Sequence, residues 1–152
     1  MKRIRTTVSF TFNAAHRNYN DESKEGYIHG HTFKVDITLQ KGLSHINNLN
    51  LNENGNVLFK SQYDEIDFWI LNNFDHALIV NEFDENIQKA CHFLGTKNNL
   101  QKVFVMPCQP TCENIALTLE KIAIGMFFEQ DIYVINIVIN DGNNTSARID
   151  CL

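Results

Sequence analysis

With 152 residues, 43% of them apolar and 20% charged, the chain has the size of one domain, residues 1–152, with its own core. Seven glycines and two prolines exclude collagen-like and low-complexity architectures, and no apolar run approaches the roughly 18–20 residues that cross a bilayer. A formal net charge of -5 removes the basic footprint of nucleic-acid and anionic-lipid binders, so neither partner is expected. The N-terminus alternates instead of forming a signal-type block. Cys91, Cys108, Cys112 and Cys151 make no C-x-x-C pair or disulfide framework, and a reducing cytoplasm is the expected location.

Residues 5–16 alternate with period two: Val8, Phe10, Phe12 and Ala14 share one face, which predicts a half-buried strand with His16 on its apolar parity. Residues 29–40 alternate again through Phe33, Val35, Ile37 and Leu39, and His29 and His31 extend that apolar parity. The Asn-rich stretch 41–56 reads as an irregular excursion or a ragged hairpin; asparagine occurs 20 times in the chain and carries no function by itself. Ser61 and Asp64 form a capping-box pattern ahead of Ile66, Trp69 and Ile70, predicting a helix over 62–73. A weaker helix is predicted over Phe83–Leu94, stopping at Gly95, followed by a short strand over Lys102–Met106. Pro110-Thr111 opens the clearest helix, with Thr111 as N-cap and Ile115, Ala116, Leu119, Ile122, Ala123 and Met126 as its apolar stripe. The β-branched run 132–139 predicts a strand covered on both faces, Asp141-Gly142-Asn143-Asn144 a turn, and 145–149 a last short strand. This order predicts an α+β class, an antiparallel sheet with helices on one face.

His29-Gly30-His31 places two imidazoles on one side of a strand, with glycine keeping the intervening face open. His16, in matching parity, supplies a third nitrogen ligand, the number a catalytic zinc takes beside an open position. The bland alternative is a chance H-x-H pair at a strand entrance. Asp75-His76 suits a carboxylate-oriented general acid or base, or equally a polar helix end. Glu113 suits the positive end of the helix macrodipole, and also suits paired N–H donors of a 2-amino-4-oxo heterocycle. Cys112 lacks a visible base, and His45 and His92 read as surface residues.

Four segments in order, Phe12-Asn13-Ala14-Ala15-His16-Arg17, His29-Gly30-His31, Phe74-Asp75-His76-Ala77-Leu78 and Pro110-Thr111-Cys112-Glu113-Asn114, resemble the 6-pyruvoyl-tetrahydropterin synthase and 6-carboxytetrahydropterin synthase family. The resemblance implies a four-stranded antiparallel sheet with two main helices on one face, sheets joining into a barrel, and a homohexamer built as a dimer of trimers. It implies zinc on His16, His29 and His31, a proton relay of Asp75 and His76, and a pterin ring anchored at Glu113 beside Thr111, with sites formed between subunits. Two positions depart from the family pattern. Glu25 stands four residues before His29, where the carboxy-forming branch has its catalytic Cys, whereas the branch that cleaves the side chain places a Glu three residues before, at Gly26 here. Asn140-Asp141 stands where the family often has Glu-Thr, which makes Asp141 a candidate pterin contact.

The implied function is a zinc-dependent carbon–oxygen or carbon–carbon lyase acting on 7,8-dihydroneopterin triphosphate; Glu25 as base favours carbon–carbon cleavage of the side chain to 6-hydroxymethyl-dihydropterin, on the folate route. The alternatives are a 6-carboxytetrahydropterin synthase in queuosine biosynthesis and a zinc-containing pterin-binding protein without catalysis. Arg17, Lys24 and Lys34 are the candidate triphosphate contacts.

Overall fold

The computed structural model describes residues 4–42, 51–96, 99–142 and 145–151. The predicted first pair of strands forms as β1 (Thr6–His16) and β2 (His29–Lys41), antiparallel from Thr6 opposite Leu39 to His16 opposite His29. Their alternation places Val8, Phe10, Phe12, Phe33, Val35, Ile37 and Leu39 in one core. Helix α1 (Lys60–Asn73) lays Ile66 and Ile70 on that face and leads through Phe74 into β3 (Ala77–Asn81). Phe12 stacks on Phe33 at 5.0 Å between ring centres and meets Phe74 at 5.2 Å, which fixes the α1 exit against the sheet.

Helix α2 (Glu85–Cys91), a small hairpin of β4 (Gly95–Thr96) and β5 (Asn99–Leu100), and β6 (Val103–Met106) follow. Helix α3 (Cys112–Phe127) packs Ile115, Ala116, Leu119, Ala123 and Phe127 into the core, and β7 (Ile132–Asn140) and β8 (Ser146–Asp150) complete the main sheet. Among the described residues, no helix is long and apolar enough to cross a membrane.

The α+β class holds, but the sheet has six strands, not four, in the order β6-β3-β1-β2-β7-β8. The four antiparallel strands β1, β2, β7 and β8 are extended at one edge by β3 and β6, both parallel to their neighbours. The addition follows from Ala77–Asn81, whose five residues are all buried and therefore show no alternation in the sequence. Helices α1 and α3 share one face as expected. Helix α2 lies on the other, where Cys91 and Ile87 meet Leu78, Val80 and Val103.

Three local expectations are corrected. The first helix begins at Lys60, where the Gln62 side chain accepts from the Phe59 N–H at 2.8 Å, so Ser61 lies inside the helix instead of capping it. The weaker helix spans only Glu85–Cys91 and is capped by Asp84, ending before Gly95. Strand β7 is not fully covered on both faces: Ile132, Val134, Ile137 and Ile139 are buried, Ile135 and Val138 are partly buried, and Tyr133 is exposed. Residues 43–50 of the 41–56 stretch, with His45, and the Asn143-Asn144 part of the last turn lie outside the described residues.

Arg17, expected to be available to a triphosphate, is engaged elsewhere. Its Nε and Nη2 donate to Asp84 at 2.7 and 2.9 Å, a two-point bond to a carboxylate only 1% exposed. Asp84 Oδ1 also accepts from Ile87 N, so one carboxylate caps α2 and ties it to the end of β1. Removing one member of a buried pair leaves the other uncompensated. Asp84→Ala is expected to cost about 2–4 kcal/mol, toward the low side because Arg17 is partly solvated. Denaturant unfolding of the variant checks it, and a loss below about 0.5 kcal/mol would remove the pair from the fold's stability.

Candidate functional site

The β1–β2 register brings the three predicted histidines together. His16 faces His29 across the strands, and His31 faces Ala14 one pleat away on the same side. Ring centres lie 4.5 Å (His16–His29), 5.1 Å (His16–His31) and 4.9 Å (His29–His31) apart, and one nitrogen of each ring falls within 4.8 Å of the others. Gly30 is not what makes room: a Cβ there would meet only the Ala14 carbonyl at an ordinary 3.6 Å.

The donor chemistry fits a divalent metal. His29 Nδ1 donates to the Tyr27 carbonyl at 2.7 Å, which fixes the tautomer and leaves Nε2 with its lone pair. That Nε2 and both nitrogens of His16 are buried with no hydrogen-bond partner among the described residues. His16 is 7% exposed, and burial, reinforced by the neighbouring His29 and His31 rings, pushes its pKa down to about 4. It is therefore neutral at physiological pH, as a metal ligand must be. Each orphaned buried nitrogen costs about 1–3 kcal/mol, which a bound cation would offset.

Beside the cradle lies a cavity of about 300 Å³, lined by His16, Asn18, Glu25, His31, Thr111, Cys112, Glu113, Asp141 and Thr145. Four predicted residues from three parts of the chain, Glu25, Thr111, Glu113 and Asp141, converge there with two of the histidines. Glu25 rides on a single 3-10 turn, Lys24–Gly26, whose cap Ser23 accepts from Glu25 N at 3.2 Å. Its carboxylate is 59% exposed, and Oε2 lies 3.4 Å from His29 Nε2. A side chain at position 26 is impossible in this loop, since a Cβ there would sit 1.9 Å from the Asp21 carbonyl oxygen. Residue 25 is therefore the position that can present a carboxylate.

Thr111 caps α3, its hydroxyl accepting from Asn114 N at 3.4 Å, and this sets Glu113 in the first turn. Asn140 is occupied by the turn, its Oδ1 accepting from Gly142 N at 2.7 Å, and Asp141 is the residue that reaches the cavity wall. Burial, then Asp141 and Glu113, push the Cys112 thiol up to about 11, so it stays protonated and is no nucleophile. Sequence reasoning missed Asn18 and Thr145, which belong to no motif and are hidden in polar loop composition.

Asp75 and His76 do not join this cavity within one chain. His76 lines a separate, open depression with Asn13, Ala15, Gly30, His31 and Thr32. The pair is nonetheless held firmly. His76 has φ 57°, and its Nδ1 donates to Asp75 Oδ2 at 2.8 Å while Asp75 Oδ1 accepts from Asn13 N at 2.9 Å. The Asn13 N–H above all, then His76 and Lys102, hold the Asp75 carboxyl below its usual value against a smaller opposing effect of burial. The imidazole itself is 78% exposed and directed outward.

The model of one family, described as 6-pyruvoyl tetrahydropterin synthase, matches residues 5–150. The chain belongs to that family. Among its relatives, a 6-carboxy-5,6,7,8-tetrahydropterin synthase of Rickettsia bellii is 34% identical over 149 residues, covering 96% of this chain and 99% of the relative. The protein of the same name from Rickettsia typhi is 30% identical over 152 residues, with the same coverages. Among solved structures, an uncharacterized protein from Wolinella succinogenes superposes with a TM-score of 0.77 at 17% identity, covering 99% of both chains. A Plasmodium vivax 6-pyruvoyltetrahydropterin synthase, a variant in which a catalytic glutamate is replaced by alanine, gives a TM-score of 0.66 at 15% identity over 98% of both chains. At these identities the solved structures show a shared fold.

Proposed function

We propose that the chain is a zinc-dependent pterin side-chain lyase acting on 7,8-dihydroneopterin triphosphate, with the Glu25 carboxylate as its base. The observation that carries this reading is the convergence of Glu25, Glu113 and the histidine cradle on one cavity with room for a bicyclic ring. His16, His29 and His31 would hold the ion, which supplies Lewis acidity toward the substrate's side-chain oxygens. Glu113, fixed in the first turn of α3, accepts paired N–H donors of the pterin ring, and Asp141 and Thr111 flank it. Glu25 takes the proton of a side-chain hydroxyl as the adjacent carbon–carbon bond breaks. The freed electron pair passes into the dihydropterin ring, a carbonyl forms on the departing fragment, and the proton returns to the ring-bound carbon. The products are 6-hydroxymethyl-dihydropterin and an aldehyde carrying the phosphates. A glutamate named as catalytic in the Plasmodium vivax neighbour supports a carboxylate in this role.

A second reading, formation of 6-carboxytetrahydropterin on a queuosine-type route, is favoured by the names of the Rickettsia relatives. The third, a zinc-containing pterin binder without turnover, is what an idle Glu25 would leave. Incubation of the zinc-loaded protein with dihydroneopterin triphosphate separates them by product mass. 6-Hydroxymethyl-dihydropterin is the expected product; the carboxy product would establish the second reading, and unchanged substrate the third.

The outward-facing His76, held by Asp75 but remote from Glu25 in its own chain, can serve proton transfer only in the cavity of a second copy. That requires a homo-oligomer, and the family resemblance supports a hexamer of two trimers with sheets joined into a barrel, acting in the cytoplasm.

A further inference from the structure

Asn18 belongs to no motif, yet it is built into the wall of the Glu25 cavity. Its backbone N–H donates to the Glu25 carbonyl at 2.8 Å, closing the neck of the loop between β1 and β2. The next residue is clamped by a single side chain. Gln109 Oε1 accepts from Tyr19 N at 2.8 Å, and Gln109 Nε2 donates to Tyr19 O at 2.7 Å. The Gln109 carbonyl in turn accepts from Thr111 N and Asn114 Nδ2, both at 2.9 Å, at the entrance to α3. The loop wall is thus braced to the helix that carries Glu113, which restricts the movement of Asn18 relative to the cavity.

Within this braced wall, Asn18 Oδ1 is buried and has no hydrogen-bond partner among the described residues. The orientation of the amide follows from Asp21, whose carboxyl is held below its usual value by the Ser23 hydroxyl and N–H and, further, by the Asn18 side chain. Only the amide N–H can do that, so the oxygen is the atom left over. A buried acceptor without a donor is destabilising unless a ligand supplies one. Asn18 stands two residues from His16, its backbone is bonded to Glu25, and all three line the cavity together.

We propose that Asn18 Oδ1 accepts a hydrogen bond from a hydroxyl of the substrate's side chain, selecting hydroxylated side chains and holding that hydroxyl beside Glu25. This deepens the pterin reading above and rests on it. The test is fluorescence titration of the zinc-loaded protein with neopterin, whose side chain carries hydroxyls, and with 6-methylpterin, the same ring without them. Asn18→Leu, close in shape but unable to accept, is expected to weaken neopterin about tenfold, the loss of one hydrogen bond, and to leave 6-methylpterin within about twofold. Asn18→Ala gives the same pattern and serves where the leucine variant does not fold. Equal weakening of both ligands, or of neither, overturns the role of Asn18. A wild-type protein that binds neither ring overturns the pterin reading itself, and this inference with it.

Discussion

His16→Ala is expected to empty the metal centre: metal measured by emission spectroscopy on the purified protein falls from about one ion per chain to near zero. Three neutral imidazoles are the least that holds a zinc with an open position, and His16 is the most buried of the three, its ring nitrogens without a hydrogen-bond partner among the described residues. Ion binding to the native state is also folding energy. At a free ion concentration of about 100 times Kd it contributes roughly 2.7 kcal/mol, or about 5–10 °C of Tm for a chain of this length. A chelator should lower the wild-type Tm by that amount and leave the variant unmoved.

Acid gives a second signature in the metal-free wild type. His16 titrates near 6.5 in the unfolded chain but at about 4 when folded, so between these values the unfolded chain binds a proton that the folded chain refuses. The associated stability, up to about 3 kcal/mol, is whole above pH 6.5 and is lost as pH falls toward 4. The variant lacks that dependence. A full metal complement in His16→Ala, or a wild-type Tm indifferent to chelator, would refute the ligand assignment.

The clustering of the three histidines was legible because strand alternation is a strict parity rule. Once β1 and β2 were read as half-buried strands, His16, His29 and His31 had to share the covered face, and the observed pairing of His16 with His29 supplied the only missing term. The extra edge of the sheet was legible only in part. The short apolar run 102–106 reads as a strand and forms β6, whereas Ala77–Asn81 is buried throughout and carries no period to read. Ser61 misled because a capping pattern is cheap in sequence, and at Phe59 the Gln62 side chain met the N-terminal need instead.

The functional departures were visible as text but not interpretable as such. That Gly26 is forced by the Asp21 carbonyl, leaving residue 25 as the carboxylate position, depends on a loop path that no local pattern encodes. The same holds for His76, whose left-handed backbone turns its ring away from the cavity its sequence motif suggests, and for Asn18, one asparagine among 20.

Glu25→Ala is expected to reduce turnover of dihydroneopterin triphosphate by about 10²–10⁴-fold while zinc content and 6-methylpterin affinity stay at wild-type levels. The carboxylate lies 3.4 Å from His29 Nε2 but is more than half exposed, so its removal strips the cavity of a base without opening a void in the core. Glu25→Gln keeps the shape and removes the basicity, and it should fall as far as alanine; a glutamine variant near wild-type rate would make residue 25 a spacer. Glu25→Cys is the more informative replacement. A thiolate is a stronger base once formed, and a partly exposed cysteine beside a cationic centre is where its pKa is lowered. If the residue at this position decides which bond breaks, that variant should recover part of the lost rate and shift the product mass from 6-hydroxymethyl-dihydropterin toward the pyruvoyl or carboxy compounds. Unchanged product chemistry at a lower rate would mean that the base only sets the speed. The outcome would then be dictated by how the side chain is held, which is the part assigned to Asn18 and to the brace that Gln109 makes with Tyr19.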